Sequence, residues 1–356
     1  MGDEKNVIGY WISEKKRQKF NWEEFHEEFA KKGLLLKLID IESNLECQGP
    51  FHVFLHKLTD ILAHAEDGNK HAKAIISRIQ DYIQKDPQLI VIDPIENVLN
   101  LRNRHKCYKM LRDELLYDDD VFIPNFTEIK SKDVQEIMNS FKKYRVDFPC
   151  VCKPLIAHGS SDAHKMMIVF NEEGLLDCQP PCVAHNLVNH NAILYKIFVV
   201  DEHFHVVERP SLKNFYSKDC QSMSTIFFSS HDISKSGSNS KWSIISEDER
   251  NLSVKPNFQT FEKIVKRIRK IFGLLLMGVD VVIENHTEKY AIIDVNVFPG
   301  YDGYPNFFQQ LASSIKKLLN ERRTAEYGKC PFLKKCLSDD LDSGFESDEK
   351  KKLSLL

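Results

Sequence analysis

The stretch KYAIIDVNVFPGYDGYPNF, residues 289–307, decides how this chain is read. Strict β alternation sends Ile293, Val295 and Val297 to one face of a strand and Asp294 and Asn296 to the other. A polar face could simply meet water, but the neighbouring sequence argues otherwise. Just upstream, MGVDVVIEN is a second β-branched run, joined to the first through NHTEK. A hairpin with a symmetrical loop centred on Thr287 places Asp280 directly opposite Asp294. Like charges at paired positions destabilise a sheet, so a cation is expected between them. Two carboxylates and the amide oxygen of Asn296 form an all-oxygen set that suits Mg²⁺ rather than zinc. With so few protein ligands, such an ion would also take water or phosphate oxygens, which points to a nucleotide-phosphate site.

The 356 residues are enough for two or three domains, and 42% hydrophobic with 28% charged residues is an ordinary globular composition. A net charge of −3 excludes a general affinity for nucleic acid or anionic membrane. No apolar run reaches the roughly 20 residues needed to span a bilayer. Nine irregularly spaced cysteines and the absence of a secretory signal place the chain in a reducing compartment, the cytoplasm. Cys178, Cys182 and His185 lie close together in CQPPCVAH but lack a fourth zinc ligand at recognisable spacing. Cys150 and Cys152, on one face of a strand, read as small apolar core residues.

Over the first hundred residues strand and helix alternate: NVIGYWIS, a helix over NWEEFHEEFAKKG with Asn21 as N-cap and Gly33 past its end, LLLKLID, HVFLHKL, a helix near 67–84, and LIVIDP. That order predicts a parallel sheet covered by helices, without the G-x-G-x-x-G of a dinucleotide fold. Next come a long helix over NVLNLRNRHKCYKMLRDELL, a second over SKDVQEIMNSFKKY, and short strands FPCVCKPL, HKMMIVF and PCVAHNLV. A third section opens with a hairpin turning near Asp201 and Glu202. It runs through a Ser-rich loop, SSHDISKSGSNSK, a helix near 257–272 stopped by Gly273, the carboxylate hairpin and a helix over about 304–322. The expected division is 1–96, 97–190 and 191–322, followed by a polar tail, 323–356, expected to be disordered.

Basic residues gather at expected strand ends and loops: Lys15, Lys16 and Arg17; His56 and Lys57; Arg102 and Arg104; Arg209 and Lys213. Open α/β sheets bind ligands at such ends. A substrate with several phosphates needs several cations, with Arg supplying bidentate contacts. In KPLIAHGSSDAHKMMIV, Gly159 and its small polar neighbours form a loop able to close over phosphate oxygens, and Lys196 stands in an otherwise apolar strand.

Lysines on two strands, a glycine loop, an aspartate and a terminal D-x-N followed by PGY together resemble the ATP-grasp fold. More narrowly the chain resembles the inositol-1,3,4-trisphosphate 5/6-kinase family, also called inositol tetrakisphosphate 1-kinases. The likeness covers residues 6–320 and includes GYWISEKK, HKLTD, NRHKCY, AHGS, NHNAILYKIFVV, RPSLKNF, IFFSSHDISK, GVDVVIEN and IDVNVFPGY. It implies an α/β protein in which a Rossmann-like N-terminal domain precedes two α+β domains that sandwich ATP. It also implies that Asp280, Asp294 and Asn296 hold Mg²⁺, two ions being expected. Arg104, Lys153 and Lys196 would hold ATP phosphates beneath a loop containing His158. His185, Asn186 and Val188 would form the adenine hinge, with Ser211 and Ser230 also lining the nucleotide. Lys16, Lys57, His164, Arg209, Lys213, Ser234, Asn296 and Gly300 would line the inositol phosphate site, with Lys196, Arg209 and His164 as catalytic groups. The hinge departs from animal members of the family, which carry Gln-Glu-aromatic where this chain has His185, Asn186 and Leu187.

The activity so implied is direct transfer of the γ-phosphoryl group of ATP to Ins(1,3,4)P3 at the 5- or 6-hydroxyl, or to Ins(3,4,5,6)P4 at the 1-hydroxyl. The reaction can run in reverse, and the enzyme is expected to be a monomer. Phosphoryl transfer demands positioning and charge neutralisation rather than covalent catalysis, which agrees with the residues. P-loop and protein-kinase signatures are missing. An ATP-grasp carboxylate–amine ligase and a catalytically silent inositol phosphate sensor are the rival readings.

Overall fold

The computed structural model describes residues 6–327 except 19–20, 116–117, 158, 160 and 252–253. The expected tail lies almost wholly outside the described residues, as does His158.

The first four strands are β1 (Asn6–Ile12), β2 (Leu34–Leu38), β3 (Val53–Lys57) and β4 (Ile90–Ile92), parallel in the order β2-β1-β3-β4. The two longest helices between these strands start where asparagine side chains cap them. Asn21 accepts from Glu24 N–H ahead of Trp22–Lys31, and Asn69 accepts from Ala72 N–H ahead of Lys70–Lys85. Parallel pairing of Ile12 with Lys57 brings the segment carrying Lys16 and the end of β3 to one carboxyl edge of the sheet.

Five short strands follow: β5 (Val121–Phe122), β6 (Phe126–Ile129), β7 (Cys150–Pro154), β8 (Lys165–Val169) and β9 (Cys182–Asn186). The last are β10 (Ile193–Val200), β11 (His203–Pro210), β12 (Ile226–Ser229), β13 (Leu276–Ile283) and β14 (Tyr290–Val297). They form two five-stranded sheets, β12-β8-β7-β9-β6 and β11-β10-β13-β14-β5. Neither sheet respects a boundary at residue 190: β12 joins the central sheet from beyond it, and β5 joins the last sheet from before it.

Two further elements differ from the sequence expectation. The long helix is two, Ile95–Asn100 and Arg104–Leu115, because Asn103 leaves the helix to bridge Ile156 and its side chain accepts from Lys106 N–H at 2.9 Å, starting a new helix. Arg104 therefore opens a helix. The Ser-rich loop holds a short helix, Ser230–Ser234.

The helix Phe258–Phe272, capped by Asn257 and stopped at Gly273 with φ +59°, buries Phe261, Ile264, Val265, Ile268 and Phe272. With Tyr108 and Leu111 of Arg104–Leu115 they cover one face of the last sheet, to which Tyr195, Ile197, Val199, Val279, Val281, Ile292 and Val295 point. Each such side chain contributes about 1.5–3 kcal/mol by leaving water. The opposite face of the same strands is left for Leu194, Lys196, Asp280, Val282, Ala291 and Asp294, and this face carries the site.

Candidate active site

Asp280 pairs with Asp294 across β13 and β14, but not through a symmetrical loop. Nearer the turn Ile283 pairs with Tyr290 and Val281 with Ile292, so one extra residue, Ile293, bulges from β14 and restores the Asp280–Asp294 register. The bulge corrects the expected alternation: Ile293 packs with Val188, Leu194, Val282 and Ala291 on the site face, whereas Val295 enters the core beneath the helices. It also frees the Ile293 carbonyl, which accepts from Tyr108 Oη at 2.6 Å and Lys153 Nζ at 2.7 Å.

Three cations surround the two carboxylates. Lys196, opposite Asp280 in the β10–β13 ladder, holds Nζ 3.1 Å from Asp280 Oδ1. Arg104 Nη2 lies 3.9 Å from Asp294 Oδ2. Lys153 is 4% exposed, and burial pulls its ammonium down to about 8 against the opposing pull of Asp294. It remains mostly protonated at neutral pH.

Arg104 also anchors the neighbouring main chain. Its guanidinium donates to the carbonyls of Pro154 (2.7 Å), Ile156 (3.1 Å) and Ala163 (3.1 Å), pinning both ends of the glycine loop. Gly159 in that loop has φ +101°, and a Cβ there would lie 2.2 Å from Ala63 Cβ, so only glycine lets the loop rest on the N-terminal domain. Arg102, two residues before Arg104, turns away to Ala63 O, Glu66 and Asp67.

At the other end of the same sheet face the surface is apolar: Val188, Leu194, Val282 and Ala291, with Phe122 and Ile293 packed against them. The hinge beside it is held by its own main chain. Asn186 N–H donates to Asn125 O at 3.0 Å, Leu187 N–H to Pro149 O at 3.1 Å, and Asn186 Oδ1 accepts from Asp147 N–H. His185 is buried edge-on to Tyr108 and donates from Nδ1 to Asn186 O at 2.9 Å; burial and Lys153 keep it neutral. Val188 O accepts from His190 Nδ1 at 2.6 Å, and burial draws His190 down to about 4, so Nε2 must accept from Ser211 Oγ–H at 2.6 Å. Ser211 thus reaches the hinge through His190. Tyr108 and His190 were missed in the sequence. The only signal for Tyr108 was its i+4 spacing from Arg104 on one helix.

Lys57 donates to Phe298 O, tying the N-terminal sheet to the segment after β14. Arg209 donates to Asp302 O at 2.7 Å on that segment, and Asp302 Oδ2 would lie 3.2 Å from a Cβ at Gly300. Lys16 Nζ is engaged by Thr59 Oγ1 (3.1 Å) and Asp60 Oδ1 (3.0 Å). His164 Nδ1 lies 3.4 Å from Ser230 Oγ, with Ser234 at the far end of that short helix. Lys213 lies over the rings of Phe215 and Trp242, at 5.4 and 5.7 Å, rather than beside the carboxylates. Cys150, Cys152, Cys178 and Cys182 share a buried cluster on the other side of the central sheet from His185.

The residues fit a hard divalent cation. The donors are all oxygen, and Asp280 Oδ1 is buried with no hydrogen bond beyond its ion pair with Lys196; Gly278, opposite Asn296, makes room for Pro299, whose Cγ would lie 3.1 Å from a Cβ there. Among the described residues no group of three His, Cys, Asp or Glu assembles, so part of the coordination shell would fall to phosphate oxygens and water.

An apolar shelf continuous with a carboxylate–cation cluster, between a central antiparallel sheet and a last sheet, defines an ATP-grasp protein. The D-cycloserine synthetase structure shares that fold at TM-score 0.58 and 11% identity, covering 88% of this chain and all of that one. Residues 116–317 match the inositol 1,3,4-trisphosphate 5/6-kinase ATP-grasp domain and residues 7–98 the pre-ATP-grasp domain of the same kinases. The chain belongs to the inositol 1,3,4-trisphosphate 5/6-kinase family. Inositol-tetrakisphosphate 1-kinase of Xenopus laevis is 38% identical over 314 residues, 88% of this chain and 78% of that protein. Inositol-tetrakisphosphate 1-kinase 3 of Arabidopsis thaliana is 28% identical over 304 residues, 85% and 81% of the two chains.

Proposed function

We propose that this chain is an ATP-dependent inositol phosphate kinase that moves the γ-phosphoryl group directly to a ring hydroxyl of Ins(1,3,4)P3 or Ins(3,4,5,6)P4. One observation carries the reading: a single sheet face joins an apolar shelf to a pair of opposed carboxylates ringed by Lys196, Lys153 and Arg104. The shelf suits a purine and the charged end suits its phosphates. Asp280, Asp294 and Asn296 are the residues that would hold Mg²⁺, two ions being proposed. Bound there, Mg²⁺ neutralises charge on the terminal phosphates.

Lys196 supplies a positive charge beside the transferring group, and Lys153 and Arg104 keep the phosphate end electropositive while fixing the bulge and the glycine loop. Lys57 and Arg209, which converge on residues 298–302, orient the acceptor together with Lys16, Gly300 and Ser234. His164 faces the same cleft, half-buried and neutral, since burial and His231 draw it down to about 4. A neutral imidazole can accept the proton of the attacking hydroxyl. Among the described residues no helix is long and apolar enough to cross a membrane, and we place the enzyme in the cytoplasm as a monomer. The test is ADP release from Mg-ATP with inositol phosphates or amino acids as co-substrates. Dependence on inositol phosphates supports the kinase; dependence on an amine and a carboxylate overturns it in favour of a ligase.

A further inference from the structure

His231 was not singled out in the sequence, yet its ring lies against that of His164. Antiparallel pairing of β12 with β8 sets Ser229 opposite Lys165, which brings Ser230 and His231, the first residues of the short helix, next to His164. The two imidazole centroids are 3.8 Å apart with planes inclined by 47°. The main chain around His164 is fixed on both sides, by the Arg104 bond to Ala163 O and by β8, which opens at Lys165. What the backbone leaves undetermined is the side-chain rotation. Ser230 Oγ, at 3.4 Å from Nδ1, is at the long end of hydrogen-bond range and restrains that rotation weakly, and the adjoining His231 ring is a second restraint on it.

We propose that His231 is a positioning residue, whose ring packs on His164 and holds that imidazole turned toward the acceptor inositol phosphate. The inference rests on the kinase reading above. His164 lies within the field of Arg104, Lys196 and Asp294, where transfer would occur, and His231 itself is exposed at the rim. Two charged imidazoles at this separation would repel, so the tilted contact also favours a neutral His164. Packing of one ring on another needs a flat face and no particular nitrogen. Phenylalanine should therefore replace His231, whereas alanine should not.

The test uses the full chain with Mg-ATP and each of Ins(1,3,4)P3 and Ins(3,4,5,6)P4, comparing wild type with His231→Ala and His231→Phe. Because a residue misplaced at a reacting centre costs rate steeply, His231→Ala should lower kcat/KM for the acceptor roughly tenfold. The KM for ATP should stay within about twofold, and His231→Phe should recover to within about threefold of wild type. An unchanged His231→Ala overturns the proposal while the kinase reading stands. So does a His231→Phe variant as poor as alanine, which would mean that the imidazole itself contacts substrate. A wild type that transfers nothing to either acceptor fells the kinase reading and this inference with it.

Discussion

Lys153→Met should make the protein more stable and the enzyme far slower. Lys153 is 4% exposed, and its fall from 10.5 to about 8 corresponds to roughly 3 kcal/mol spent on keeping a buried charge at neutral pH. Methionine fills a similar volume without that cost. Against it stand two lost hydrogen bonds, to Tyr108 Oη and Ile293 O, of about 1 kcal/mol each, although Ile293 O keeps its bond from Tyr108. The net gain is about 1–2 kcal/mol, and at roughly 2–4 °C per kcal/mol the melting temperature should rise by a few degrees. The sign with pH follows from a folded value below the unfolded one. The cost is fully present below about pH 8 and vanishes above about 10.5, so the variant's advantage should fade over that window. Catalysis should lose about 10²–10³-fold, the usual loss when one preorganised charge or donor is removed. Thermal melts at pH 7 and pH 10 alongside initial rates test both halves. A variant that melts lower at pH 7 and keeps near-normal turnover refutes the reasoning.

Three other outcomes follow from the same geometry. Asp294→Asn keeps the shape and the bond from Val295 N–H but removes a charged ligand; kcat/KM should fall at least about a thousandfold, with the melting temperature little changed, as calorimetry can check. Gly159→Ala forces a Cβ into Ala63 and strains a residue at φ +101°; the loop should detach from the N-terminal domain, raising the KM for ATP several-fold, and proteolysis should find a new cut near the loop. Ser211→Ala leaves a buried His190 nitrogen without its donor, costing about 1–3 kcal/mol, which should appear as a lower melting temperature and a weaker ATP KM with kcat for the acceptor nearly unchanged.

Patterns that repeat locally were legible in the sequence. The cap at Asn21 and the stop at Gly273 follow from short-range rules, and Asp280 does face Asp294 as expected, though through a bulge rather than a symmetrical loop. The bulge at Ile293 was not legible, because an apolar residue fits either face and only pairing with β13 reveals the extra one. Arg102 and Arg104 looked equivalent as neighbours in one helix; Asn103 breaks that helix and sends one to Asp67 and the other to the loop carbonyls. Tyr108 and His190 act through main-chain carbonyls brought near by the fold, at Ile293 and Val188, and sequence carries no mark of a carbonyl's position. Lys213 was grouped with Arg209 by proximity in the chain, but two aromatic rings claim it.

The central claim is that the carboxylate hairpin serves direct phosphoryl transfer to an inositol phosphate. Its most direct test is a single turnover with [γ-³²P]ATP, Mg²⁺ and Ins(3,4,5,6)P4, with products separated by anion-exchange chromatography and Asp294→Asn run in parallel. Label should appear in an inositol pentakisphosphate as fast as ATP disappears, with none on the protein and neither event in the variant. Label released only as inorganic phosphate, or equal transfer by Asp294→Asn, would contradict it.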